Sequence, residues 1–318
     1  MSSNELLKEL HFQHMQIAVR QSIAVVDSAR KGEREILPTK WPRLNKNLLG
    51  GLQPGKMYVV SGRPGVAKST FSNQMVFDIL DLAALEKKKV VVFYWSFEMP
   101  GYQQILRSAS KDTGKQMADL YSVDRVLDEV AFDVFVKSVS KFVKYPIYFQ
   151  NRPRSVQFMV EACEKFSKLN PHVLILNLID HSRLVLGHEA DKEMERLNKL
   201  SKGCMYMQST IGVESSPKVI NILLSQLNRA IEDKERAKDQ YQPLLTDLFG
   251  GDSIGQDAHV VMMLQRPNDL YGITAQYCGE DPKGLLAVHI EKNRDGMLGM
   301  IPYDFDGSRF TITERKKK

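Results

Sequence analysis

The sequence predicts an α/β fold: a mostly parallel central sheet flanked by helices, with a C-terminal β-hairpin and a short N-terminal helix before the sheet. Three observations predict it. Short apolar runs alternate with longer polar-faced stretches, the pattern of buried parallel strands joined by helical crossovers. A glycine-rich loop separates the first such run from a helical segment. The composition, 43% hydrophobic and 26% charged over 318 residues, supplies a full core and excludes disordered and fibrous classes.

Residues 5–31 carry a helical period, with Leu6, Leu7, Leu10, Met15, Ile17, Ala18 and Ile23 recurring at threes and fours. Lys31-Gly32-Glu33 and Leu37-Pro38-Thr39-Lys40-Trp41-Pro42 then read as a linker, because each proline biases its predecessor out of helix. Residues 1–39 are thus expected to form a helix and linker, either packed locally or acting as an arm that docks on a neighbouring subunit. Residues 40–318 are expected to form one α/β domain. Its strands are read at Met57–Val60, Val90–Trp95, Ile147–Phe149, Val173–Ile179, Val219–Leu224, Val260–Leu264 and Leu286–Glu291, with helices from Ser69, Gly101 and Ser155. Leu286–Glu291 and Met300–Phe305 flank Asn293-Arg294-Asp295-Gly296, and the Asp-Gly pair favours a tight hairpin turn.

The longest apolar run, around Val173–Ile179, is strand-sized and holds an asparagine, far short of the roughly 20 residues that span a bilayer. A membrane-spanning chain is excluded. The N-terminus lacks the basic start and apolar stretch of a secretory signal, so the cytoplasm is the expected location. Cys163, Cys204 and Cys278 are odd in number and widely spaced, suggesting reduced thiols rather than disulfides or zinc ligands. Lys and Arg number 44 against 38 Asp and Glu, a net charge of +6 compatible with a polyanionic partner.

The strand at Met57–Val60 runs into Ser61-Gly62-Arg63-Pro64-Gly65-Val66-Ala67-Lys68-Ser69-Thr70 and then a helix, the order of the P-loop G-x-x-x-x-G-K-[ST]. Such a loop turns successive N–H groups toward phosphate at the positive end of a helix, with a lysine on the β/γ-phosphates and a hydroxyl on Mg²⁺. Gly62, Gly65, Lys68 and Ser69 meet these needs. Ala67 replaces the second glycine; if that position requires positive φ, the methyl costs on the order of 1 kcal/mol.

Three further residues fit nucleotide chemistry. Asp180 ends the apolar run from Val173 as a metal-orienting carboxylate does, although it can equally cap the next segment. Glu98 follows a central strand, where a carboxylate takes a proton from water, or is simply an exposed helix start. Gln226 ends a third strand with an amide able to bond both phosphate and a neighbouring loop, or is an ordinary polar strand end.

Seven blocks then appear in order: Gly50-Gly51-Leu52-Gln53-Pro54-Gly55, the P-loop, Ser96-Phe97-Glu98-Met99-Pro100, Ile179-Asp180, Ser225-Gln226-Leu227-Asn228-Arg229, Asp252-Ser253-Ile254-Gly255-Gln256-Asp257-Ala258 and Glu291-Lys292-Asn293-Arg294-Asp295-Gly296. In this order they resemble the C-terminal motor domain of DnaB-type replicative helicases, within the RecA-like ATPase superfamily, over residues 40–310. The resemblance implies ATP and Mg²⁺ as cofactors, with Lys68 and Ser69 on phosphate and metal, Glu98 activating water, Asp180 holding the metal and Gln226 reporting the γ-phosphate to the DNA-binding loops. It further implies that Lys292 and Arg294 reach into the adjacent subunit's site, against the plainer reading of a turn with two surface cations.

The sequence departs from that pattern in the DNA-facing loop. The family's Arg-Glu-Ser-Gly run is replaced by Phe249-Gly250-Gly251-Asp252, and Gly255 stands for the glutamate that follows. The Gly250 and Gly251 N–H groups are then candidate phosphate contacts, and Phe249 either stacks on a base, worth ~1–3 kcal/mol, or packs in the core. With residues 1–39 alone ahead of the motor, no collar or primase domain is expected there, an architecture suited to a phage or mobile-element helicase. Arg315-Lys316-Lys317-Lys318 reads as a solvated tail or a weak nucleic-acid contact.

The implied function is an ATP-driven, ring-forming helicase translocating on single-stranded DNA, a homo-oligomer expected to be a hexamer, with a primase or loader as further partners. A recombination ATPase that binds DNA without processive unwinding, and a hydrolysis-poor nucleotide-binding scaffold, are the alternatives.

Overall fold

The computed structural model describes residue 12 and residues 14–187, 191–213 and 216–316. The chain divides into two units, Met1–Ile36 and Leu37–Lys318. In the first, helix α1 (Met15–Lys31) is capped by the His14 imidazole at its start and by left-handed Gly32 at its end. None of its residues is buried, and Ile17, Ile23 and Val26 stand exposed. The part of the expected 5–31 helix at residues 5–11 and 13 lies outside the described residues.

The second unit starts at Leu37, which pairs with Leu52 through reciprocal backbone hydrogen bonds of 2.8 Å. Leu37–Pro42 is therefore not a free linker. Its prolines do not prevent burial, and Trp41 stacks on Phe71 at 4.7 Å with the edge of Tyr303 at 5.2 Å. Gly51 lies against this segment so closely that a Cβ would sit 2.3 Å from the Leu37 carbonyl oxygen. Only glycine fits there.

The remaining elements follow in order: α2 (Pro42–Asn47), β1 (Met57–Gly62), α3 (Lys68–Leu85), β2 (Val90–Ser96), α4 (Gly101–Thr113), α5 (Met117–Tyr121), α6 (Glu129–Ser140), β3 (Ile147–Gln150), α7 (Val156–Leu169), β4 (Leu174–Asp180), α8 (Glu193–Thr210), the short pair β5 (Gly212–Val213) and β6 (Ser216–Pro217), β7 (Val219–Gln226), α9 (Gly251–Asp257), β8 (Val260–Gln265), α10 (Pro267–Tyr271), β9 (Leu285–Asn293), β10 (Gly299–Asp306) and β11 (Thr311–Glu314). Nine strands form one sheet in the order β11-β10-β9-β8-β1-β7-β4-β2-β3. The six from β8 to β3 are parallel, and β9, β10 and β11 extend them antiparallel.

Helices cover both faces, so β1 and β4 are buried along their whole length and read as continuous apolar runs. One face packs Phe71, Met75 and Ile79 of α3; the other packs Met159 of α7 and Leu200, Cys204 and Met207 of α8. The asparagine in the β4 run is satisfied inside the core. Asn177 donates to Asn221 at 2.9 Å and accepts from the Trp95 indole at 3.0 Å, while Asn221 donates to the Cys204 carbonyl. A one-residue slip of β4 would leave these groups unpaired, so the network fixes its register.

The expected hairpin is β9–β10, and β11 adds a strand that its four residues did not signal. Arg315, grouped with the basic tail, is instead anchored: it donates to Asp304 at 2.6 Å and to the carbonyls of Asp281 and Lys283. Lys317 and Lys318 lie outside the described residues. Among the described residues no helix is long and apolar enough to cross a membrane.

Candidate active site

Parallel strands end together, and the crevice beyond their carboxyl ends is where α/β folds bind ligands. Here a cavity of about 370 Å³ at that edge is lined by the loop after β1, by Glu98 and Met99 after β2, by Asp180 and His181 after β4 and by Gln226 of β7. The fold thus gathers residues spread over more than half the sequence.

The phosphate-binding loop is braced from below. Val66 is fully buried, and a Cβ on Gly62 would lie 2.5 Å from its side chain and 2.9 Å from the Leu264 carbonyl oxygen. Ala67 has φ 79°, the left-handed region, and leads directly into α3. The alanine is strained as anticipated. Ala67→Gly is expected to raise stability by about 1 kcal/mol and to keep or improve nucleotide affinity, checked by thermal melting and nucleotide titration. A tenfold loss of affinity would show a loop adapted to alanine.

Lys68 points back into the loop, donating to the carbonyls of Gly62 at 2.9 Å and Arg63 at 3.1 Å. Burial lowers its pKa to about 8, opposed by the Asp180 and Glu98 carboxylates, so it remains a cation at neutral pH. Arg63 turns away from the cavity to pair with Glu232 at 2.6 Å and the Leu227 carbonyl. Pro64, Gly65, Ala67, Lys68, Ser69 and Thr70 all reach the cavity wall.

Asp180 is buried at the end of β4, and its Oδ2 has no hydrogen-bond partner. Burial raises its pKa to about 6, moderated by a hydrogen bond from Ser69. A buried carboxylate oxygen left open beside a hydroxyl suits a hard divalent cation. Because the folded pKa exceeds the ordinary 3.8, the ionised form costs stability, a cost that grows as pH rises from about 4 to about 6 and is complete above it. Without ligands, Asp180→Asn is therefore expected to stabilise the fold at pH 7 by ~3 kcal/mol, the gain vanishing below about pH 4. Denaturant melts at both pH values check this; destabilisation at pH 7 would contradict it.

Glu98 is half-exposed, with its carboxylate 3.8 Å from His181 Nε2. The Phe97 N–H donates to the Asp180 carbonyl at 2.9 Å, tying the two loops together. Burial lowers the His181 pKa, leaving a neutral ring beside Glu98. Gln226 lines the cavity, while its backbone carbonyl accepts from the Phe249 N–H at 2.9 Å. One residue thus touches both the phosphate side and the Phe249 loop.

Phe249 is half-buried against the core, and the guanidinium of Arg183 covers its ring at 4.8 Å. Both expectations for it are modified: it is partly core, and a cation lies on its ring. Gly250 is buried with φ 73°, and a Cβ there would meet Leu197 at 2.8 Å. Gly251 opens α9.

Lys292 and Arg294 are not brought to the cavity. β9 runs antiparallel to β8, so its carboxyl end lies at the opposite edge of the sheet, where Lys292 pairs with Val261. There Lys292 donates to the carbonyls of Gly255 and Gln256, and Arg294 donates to Gln256 at 2.7 Å. These are the carbonyls that a helix end leaves free to accept.

The cavity also holds residues that sequence reasoning missed: Arg107, His181, Arg266, Phe305 and Phe310. Arg266 lies over Phe305 at 4.7 Å and donates to the Gly65 carbonyl; Arg107 lies over Phe310 at 4.9 Å. Only His181, next to Asp180, had a local signal. The aromatic pair arrives from the far end of the chain through β10 and the turn after it.

Residues 37–314 match the family model for the DnaB-like helicase C terminal domain. Relatives named replicative DNA helicase DnaB include those of Rickettsia bellii (strain RML369-C), 23% identical over 99% of this chain and 65% of that protein, and Helicobacter pylori (strain J99 / ATCC 700824), 26% identical over 81% and 49%. The chain thus spans about half to two thirds of their length. Among solved structures, an isolated ATPase domain aligns with TM-score 0.79 over 94% of this chain and 99% of that one. A DnaB-like replicative helicase, from a structure describing its interactions with primase, aligns with 0.77 over 93% and 66%, both at 18% identity. The shared fold is the RecA-like P-loop ATPase core.

Proposed function

From the premise that this chain belongs to the DnaB-like helicase C-terminal domain family, we propose that it is an ATP-driven motor that assembles as a ring, expected to be a hexamer, and translocates on single-stranded DNA during replication. The observation that carries this reading is the double engagement of Gln226, which lines the phosphate cavity and holds the Phe249 loop through its carbonyl.

In this reading Lys68 leaves the Gly62 and Arg63 carbonyls for the β/γ-phosphates, to which a desolvated cation binds more strongly than in water. Ser69 and Asp180 would hold Mg²⁺, which when bound neutralises charge on the β/γ-phosphate oxygens. Glu98, half-exposed beside neutral His181, takes the proton of the attacking water. The base is received by the arginine-backed rings of Phe305 and Phe310 in the cavity wall. Lys292 and Arg294 lie on the far edge of their own chain, so in this reading they serve as the cationic finger of a neighbour's site, beside the Arg107 and Arg266 that line that site already. The exposed apolar residues of α1 give an arm for docking on that neighbour. A primase or loader would join the ring from outside, and the assembly would work in the cytoplasm, that of a host if phage-encoded.

The test is ATPase activity with and without oligo(dT). Stimulation by about tenfold or more is expected; turnover indifferent to DNA would contradict the motor reading, and negligible turnover with or without DNA would favour the scaffold reading.

A further inference from the structure

Arg183 has no assigned role. It lies in the turn after β4 and touches three elements: its Nε and Nη2 form a fork on the Glu193 carboxylate of α8, Nη1 donates to Gln226 Oε1 at 3.3 Å, and its plane covers Phe249. Phe249 in turn donates its N–H to the Gln226 carbonyl. The triangle of Arg183, Gln226 and Phe249 is closed by contacts on every side.

The chemistry of the groups gives this triangle a direction. A guanidinium only donates and a phosphate only accepts, so an amide lying between them must turn its oxygen to the arginine and its NH₂ to the phosphate. We propose that Arg183 is a positioning residue: it orients the Gln226 amide to donate toward an anion in the cavity, and through its stacking on Phe249 it couples occupancy of the phosphate site to the posture of the strand-binding loop. When an anion draws the Gln226 amide inward, the guanidinium bonded to its oxygen follows, while the fork to Glu193 limits its travel. Phe249, covered by the same guanidinium, is shifted or freed. The inference rests on the motor reading above and adds to it the residue that links the two sites.

The experiment measures the affinity of a labelled oligo(dT) for the assembled protein with ADP and with a non-hydrolysable ATP analogue. Wild type is expected to bind DNA at least tenfold differently in the two states. Arg183→Met keeps the length of the side chain without its donors and is expected to bring the ratio to within about twofold of one, with nucleotide affinity retained. Gln226→Met combined with Arg183→Met should do no more than either alone, whereas two unconnected structural roles would add. If Arg183→Met does not fold, Arg183→Lys decides, because a single ammonium cannot hold Glu193 and Gln226 and lie flat on Phe249; a loss of at least threefold in the ratio is expected. A ratio preserved in the folded variants overturns the coupling role while leaving the motor reading intact. A wild-type protein whose DNA affinity ignores the nucleotide overturns both.

Discussion

Lys68→Ala is expected to abolish nucleotide turnover, by about 10³-fold or more, in a protein that still folds. The lysine is held inside the phosphate loop by two of its carbonyls, and at neutral pH its charge persists despite burial. Its stability contribution points the same way. A lysine whose pKa falls on folding, here to about 8, costs the folded state its full penalty below that pH. Removing it relieves that penalty at pH 7, which offsets the loss of its two hydrogen bonds to the loop. Near-normal turnover in a folded Lys68→Ala protein would remove the phosphate-loop assignment.

Arg294→Ala is expected to cost a comparable amount, about 10³-fold in turnover per chain, although Arg294 lies at the other edge of the sheet from the cavity. The loss should be in catalysis, with nucleotide affinity retained, because every group lining the cavity of the variant is intact. A purely structural role for the Arg294–Gln256 contact predicts the reverse pattern: a lowered melting temperature and little change in turnover.

The sheet was legible because strands buried on both faces are apolar throughout, and β1, β2, β4, β7 and β8 lie within two residues of the runs that signalled them. Lys68, Ser69, Glu98, Asp180 and Gln226 were legible because each follows or ends such a run, and parallel strands deliver their carboxyl ends to one place. Other features left no local trace. Trp41 sits among prolines, a linker signature, yet is buried by Phe71 and Tyr303, contacts that only the tertiary fold supplies. Phe305 and Phe310 line the cavity because the antiparallel extension folds back along the sheet, and nothing in a short strand and its turn announces that destination. Arg183 is invisible for the same reason: its three partners come from α8, β7 and the loop before α9.

In the proposed motor each site is completed by a neighbouring chain. The most direct measurement mixes Arg294→Ala with Glu98→Gln subunits and follows ATPase, alongside wild type over a range of protein concentrations with the assembled mass recorded. Wild-type activity per chain is expected to rise steeply as rings form and to fall silent on dilution. Each variant alone should be inactive, and the mixture should regain a fraction of wild-type turnover, since some interfaces then pair an intact Glu98 with an intact Arg294. Mixed rings as inactive as the separate variants, together with wild-type activity per chain that does not change with concentration, would show that each chain turns over ATP without a neighbour and contradict the shared-site motor.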